Sequence, residues 1–192
     1  MPTLFKSALM AVIGLGALQL ASPALADVTV IGNGLAAACS AEAKMAARNQ
    51  ASRGEAIDQC TLAIENEDLS AHELAATFVN RGVLRLATGD FQKATQDFDR
   101  ALHVEPGLAE AHVNRGAALI GEGHDAEGVA EIDRGLALDT TEAEKAYFNR
   151  ALAKERMNDI KGAYLDYQKA LALKPGWDMP RIELARFHVV AQ

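Results

Sequence analysis

The chain has 192 residues, with 19 Lys and Arg against 26 Asp and Glu, for a formal charge of −7. That balance argues against nucleic acid, whose binding leans on cations that neutralise phosphates, and the length fits one domain. Two cysteines and five histidines limit the scope for soft-metal chemistry.

Lys6, the apolar run Ala8 to Leu20, and Ala24-Leu25-Ala26 form the three parts of a secretory signal over residues 1–26. The processed chain then starts at Asp27 with 18 basic and 26 acidic side chains, a formal charge of −8. The run is shorter than the roughly 20 residues that span a bilayer, and no later run is longer, so no membrane span is expected after cleavage. A retained N-terminal anchor is the alternative. The short signal and its Ala-x-Ala site look bacterial, which points to export into the periplasm.

Residues 27–36 read as an extended leader. Val28 to Ile31 followed by Gly32-Asn33-Gly34 and Ala37 approximates the dinucleotide fingerprint G-x-G-x-x-A. That fingerprint needs a βαβ unit ending in an acid-tipped strand, for which Thr61 to Glu65 is a weak candidate. Against it, Ser52-Arg53-Gly54-Glu55 is a capping box that opens a helix.

Helices are expected from Leu35 to Asn49 and from Arg53 to Glu65, and the acidic loop Glu65 to Ser70 lengthens this period by four residues. Ser70-x-x-Glu73 caps a helix over Ala71 to Ala87, and Gly89-Asp90 turns into another ending at Val104. A third pair starts near Leu108 and turns at Gly121-Glu122-Gly123. Its second helix, Asp125 to Leu138, contains Gly128 and Gly135, each costing about 1 kcal/mol against Ala, and should be the least stable. Thr141-x-x-Glu144 caps a fourth pair, Asn158-Asp159 turns it, and Pro175-Gly176 ends it. Asp178 then caps a last helix, Met179 to Val190, within a terminal unit at 178–190.

Asn80-Arg81-Gly82, Asn114-Arg115-Gly116 and Asn149-Arg150-Ala151 recur at spacings of 34 and 35 residues. Twelve residues after each small residue stands another, Ala94, Gly128 and Ala163, and four further on a large apolar one, Phe98, Ile132 and Tyr167. This pattern resembles the tetratricopeptide repeat, a helix-turn-helix unit of 34 residues; the closest copy reads Phe78-x2-Arg81-Gly82-x2-Arg85, Ala94-x3-Phe98, Pro106. The resemblance implies an all-α, right-handed solenoid with repeats at about 37–70, 71–107, 108–142 and 143–177 and a C-terminal capping helix. Arg81, Arg115 and Arg150 depart from the family, which usually has Leu there.

Each of those arginines is followed sixteen residues later by an acid, Asp97, Glu131 and Asp166, which predicts an ion pair inside each hairpin. The first hairpin has Ala43 and Gln59 instead, and the two cysteines, Cys39 and Cys60. In an exported chain such a pair suggests a disulfide. No histidine among His72, His103, His112, His124 and His188 stands at metal-ligand spacing, so neither metal nor cofactor is expected, and no catalytic motif is present. His112 and His188 are expected to be half-buried.

In the family the first helices line a concave groove, which in this chain implies Val79, Val83, Leu86, Val113, Ala117, Ile120, Phe148 and Leu152 as partner-binding residues. The family set that grips a C-terminal carboxylate is missing, although Arg48, Lys145 and Arg156 lie nearby. The expected function is non-catalytic: a scaffold in the cell envelope that binds a protein or peptide segment. A self-associating architectural oligomer is the alternative, and an enzyme a distant one.

Overall fold

The computed structural model describes residues 3–6, 34–45 and 53–190, with side chains at 34–45 and 53–187. In chain order these form strand β1 (Thr3–Lys6), helices α1 (Leu35–Met45), α2 (Arg53–Asn66), α3 (Ala71–Ala87), α4 (Phe91–Val104), α5 (Ala109–Glu122), α6 (Asp125–Ala137), α7 (Ala143–Arg156), α8 (Ile160–Leu173) and α9 (Asp178–Leu184), and strand β2 (Phe187–Val190). The fold is an all-α solenoid of four helical hairpins followed by a short helix and a terminal ribbon.

Local chemistry sets the helix ends. The Ser70 hydroxyl accepts from the Glu73 N–H while the Glu73 carboxylate accepts from the Ser70 N–H, a reciprocal cap on α3. Asp90 and Asp159 cap α4 and α8 by accepting from Lys93 and Gly162. Gly123 closes α5 at φ 90°, and Asn158 turns out of α7 at φ 64°, a left-handed conformation that asparagine tolerates. Glu67, in the acidic loop after α2, reaches back to cap α1 at Leu35 and Ala36, with N–H to carboxylate distances of 2.6 and 3.0 Å.

The apolar core is a string of clusters, and each takes residues from more than one helix. Val79, Val83 and Leu86 of α3 pack with Phe98 of α4 and with Ala111, Ala117 and Ala118 of α5. Val113 and Ile120 of α5 pack with Ile132 of α6 and with Ala146 and Ala153 of α7. Phe148 of α7 packs with Tyr167 of α8 and meets Trp177 at 4.9 Å between ring centroids. Stacking of neighbours, rather than one central core, therefore holds the array together.

The two layers differ. α1 packs against α3, α3 against α5 and α5 against α7, whereas among the described residues no two second helices pack comparably. The first helices thus converge as the inner layer, and the second helices splay apart on the outside. The hairpin of α5 and α6 is the most closely approached. A Cβ on Gly116 would lie 2.7 Å from the Gly128 carbonyl, and one on Gly135 would lie 2.5 Å from Val113. The glycines that lower the intrinsic helicity of α6 let its backbone touch that of α5.

Several expectations need correction. The last helix stops at Leu184 instead of Val190, because Phe187-His188-Val189-Val190, aromatic and β-branched, is extended and pairs antiparallel with β1. That helix begins at Asp178, with Trp177 at its cap and no side-chain cap. Thr141 does not cap α7; its N–H and hydroxyl bond instead to Glu110 at the start of α5. α5 runs through Gly121 and Glu122, so the turn is confined to Gly123 and His124. Leu35 and Ala36 are already helical. Residues 7–33 and 46–52 lie outside the described residues, and with them most of the expected signal at 1–26, the leader at 27–33, Gly32, Asn33, Arg48 and Ser52.

Candidate protein-interaction face

The repeated arginines act between hairpins as well as within them. Arg81 bonds Asp97 at 2.7 Å, Arg115 bonds Glu131 at 2.5 Å and Arg150 bonds Asp166 at 2.7 Å, each from a first helix to its own second helix. Arg115 also reaches Asp99 at 2.7 Å and Arg150 reaches Asp133 at 2.5 Å, both on the second helix of the preceding hairpin. Arg81 makes the matching contact with Thr61 of α2 at 3.1 Å. Each guanidinium, with its planar fork of donors, staples two hairpins.

The acids are shared. Asp97, fully buried, accepts from Arg81, Arg85 and Arg100. Glu131 accepts from His112, Arg115 and Arg134, and Asp166 from Arg150 and Lys154. Burial pushes the Glu131 carboxyl up, but the hydrogen bonds from His112 and Arg115 outweigh it and hold the group below the usual range. The Asp166 hydrogen bond, acting against burial, raises Arg150 further, so it stays charged throughout. His112 is buried between Glu131 and the Pro106 carbonyl. These side chains are committed to the fold and are not free to read a ligand.

In the first hairpin Ala43 and Gln59 stand where the other hairpins have the arginine and its acid. Cys39 and Cys60 are joined by a disulfide there, with Cα atoms 4.9 Å apart, and both are fully buried with Ala43, Ala56 and Leu84 of α3.

The eight residues expected to line the groove are placed differently. Val79, Val83, Leu86, Val113, Ala117, Ile120 and Phe148 are buried, and Leu152 is half-buried. Convergence of the first helices puts these apolar positions against neighbouring helices, so seven of the eight are buried packing residues, and Leu152, packed against the cluster of Phe148 and Tyr167, keeps only part of its surface open. The nearby cations are engaged: Lys145 with Glu142, and Arg156 with Asp125 and the Ile120 carbonyl. Burial pushes the Glu142 carboxyl up, against the pull of Lys145.

Sequence reasoning passed over Asn80, Asn114 and Asn149 as mere markers of the period. They are 2%, 0% and 2% exposed, and the Nδ2 of all three and the Oδ1 of Asn114 and Asn149 have no hydrogen-bond partner. A Cβ on Gly82 would strike Phe98, and one on Gly116 would strike Ile132, so those glycines face the second helix. Two residues earlier on a helix is about 200° away, so the asparagines point to the inner side. Among the described residues no cluster of His, Cys, Asp and Glu could hold a metal, and no helix is long and apolar enough to cross a membrane.

The sequence pattern of the tetratricopeptide repeat matches residues 144–176. Among solved structures, MamA from Desulfovibrio magneticus is similar over 81% of this chain and 84% of its own, with 20% identity and a TM-score of 0.61. The tetratricopeptide-repeat domain of Arabidopsis OM64 is similar over 61% of this chain and 96% of its own, with 21% identity and a TM-score of 0.58. The second such domain of human RPAP3, solved in complex with the HSP70 peptide SGPTIEEVD, is similar over 61% and 97%, with 22% identity and a TM-score of 0.55. Comparison with curated protein sequences finds none that matches.

Proposed function

We propose that this chain, which carries a tetratricopeptide repeat at 144–176 and has the tetratricopeptide-repeat fold in its helical array, is a non-catalytic scaffold that binds a protein segment on its inner face. The observation that carries this is the convergence of α1, α3, α5 and α7 into one continuous inner layer. Such a layer offers an extended surface to another chain. Arg81, Arg115, Lys145, Arg150 and Arg156 of that layer are held in ion pairs, which favours shape and neutral polar groups for the recognition. The same fold in RPAP3 takes up a peptide, which supports a peptide-like partner here. With residues 1–26 read as a secretory signal, whose removal would also take β1 from its pairing with β2, the scaffold works in the cell envelope, in the periplasm.

Affinity capture from an envelope extract tests this, using the intact chain beside a Leu152→Asp variant. Leu152 is half-buried on α7, and an unpaired carboxylate in a desolvated contact costs several kcal/mol. One protein retained by the intact chain and lost with the variant, at unchanged circular dichroism, is the expected result. Equal recovery by both rejects the inner face as the docking surface.

A further inference from the structure

We propose that the edge of β2 is a docking site for an extended segment of a partner protein, apolar and aromatic with a Lys or Arg beside it, which joins β2 as an antiparallel strand. The site lies apart from the inner face, and the inference rests on the reading of residues 1–26 as a cleaved signal. Among the described residues β2 has β1 as its strand partner, in the register Thr3 to Val190, Leu4 to Val189, Phe5 to His188 and Lys6 to Phe187. β1 falls inside the signal, so processing removes it. The main-chain N–H and C=O groups along that edge of β2 then lose the strand that satisfies them.

The edge is built to be covered. Open edge strands are commonly blunted by Lys, by Pro or by a bulge, and Phe187-His188-Val189-Val190 contains neither Lys nor Pro. Its first residue is fixed to the array: Phe187 is 8% exposed, with its ring centroid 5.5 Å from that of Tyr164 and 6.0 Å from that of Tyr167. A strand anchored in this way loses less freedom when a segment joins it. β1 also lies against α8, so an added strand meets the helical array as well as the ladder. The segment that fills the edge shows the chemistry it takes. Thr3-Leu4-Phe5-Lys6 offers an aliphatic, an aromatic and a cationic side chain in succession. The cation suits a processed chain with 18 basic and 26 acidic side chains, a balance that works against a second copy of this chain in the same place. In strand addition the main-chain bonds supply affinity and the side chains supply selectivity.

The test uses the protein recovered from the cell envelope, whose mass reports whether residues 1–26 are gone, and a fluorescent peptide with the sequence of residues 1–8 as the probe. Fluorescence anisotropy follows its binding to the processed chain and to a Val189→Pro variant. Expected are saturable binding, at least a tenfold loss in the variant at unchanged circular dichroism, and a several-fold loss with Lys6→Glu in the peptide. Antiparallel pairing turns the N–H groups of alternate residues toward the partner strand, so N-methylation at one of Leu4 and Phe5 should abolish binding and at the other spare it. No binding to the processed chain, or equal sensitivity at the two residues, overturns the proposal and leaves the inner-face scaffold to its own test. A dimer on a sizing column that Val189→Pro converts to monomer overturns it as well, because a second copy then holds the edge. A mass that retains residues 1–26 overturns the strand site and the export reading together.

Discussion

Arg115 reaches out of its own hairpin to hold Asp99 at 2.7 Å while its other donors hold Glu131 at 2.5 Å. One side chain thus couples α4, α5 and α6. The two arms differ in worth, because Asp99 is half exposed whereas Glu131 is buried. Arg115→Ala should cost about 1–3 kcal/mol, since it takes one of three donors from a buried carboxylate, and Asp99→Asn less than about 1 kcal/mol. Urea denaturation of the two variants checks the ratio; equal losses would show that the buried arm has no special weight.

The disulfide should act locally. Cys39→Ala with Cys60→Ala, or reduction after unfolding, removes a cross-link between residues 21 apart in sequence, worth about 3 kcal/mol in the entropic account. Amide exchange should rise in α1 and α2 and stay slow in α5 to α8, because contacts in the array run only between neighbours. A uniform rise along the chain would mean that the array unfolds as one unit.

Two glycines should respond in opposite directions. At Gly54, in α2, an added methyl meets nothing within 4 Å, so Gly54→Ala should stabilise by about 0.5–1 kcal/mol. At Gly128 the same methyl would sit 2.5 Å from Ile120 and 2.8 Å from the Gly116 carbonyl. Gly128→Ala should destabilise by about 1–3 kcal/mol, despite its better helix propensity. Melting temperatures of the pair decide it.

The pH dependence follows from Glu131. Its folded carboxyl titrates below the unfolded one, which lies near pH 4.3, so its contribution is complete above that pH and is lost as pH falls through the folded value. Glu131→Gln should be less stable than the wild type at pH 7, and the gap should narrow below about pH 4. A gap that stays constant down to pH 2.5 would mean that the His112 and Arg115 bonds do not depend on the charge.

Much of this was legible in the sequence because the repeat is short-ranged. The bounds of α3 and α4 follow from Ser70, Glu73, Gly89 and Asp90, and the Arg-to-acid spacing of sixteen follows from two helices folding back on each other. The second arm of each arginine was not, since Asp99 and Asp133 come near only when hairpins stack; the acid-x-acid pairs Asp97-Asp99 and Glu131-Asp133 were the available signal. Helical periodicity marked Val79 and Ile120 as apolar without saying whether they meet solvent or the next helix, and stacking decided for the next helix. The end of α9 was missed because apolar residues such as Phe187 and Val190 suit a helix face as well as a strand, and only the partner strand separates them.

Residue-resolved photo-crosslinking in the cell tests the scaffold most directly. A photoreactive side chain is placed at Lys145 or Leu152, on the inner layer, and at Leu62 or Leu165, which are 47% and 52% exposed on the outer helices α2 and α8. Inner-face recognition predicts one discrete crosslinked protein from the first two positions and none from the second two. The same crosslinked protein from Leu62 and Leu165, with nothing from Lys145 and Leu152, would contradict it.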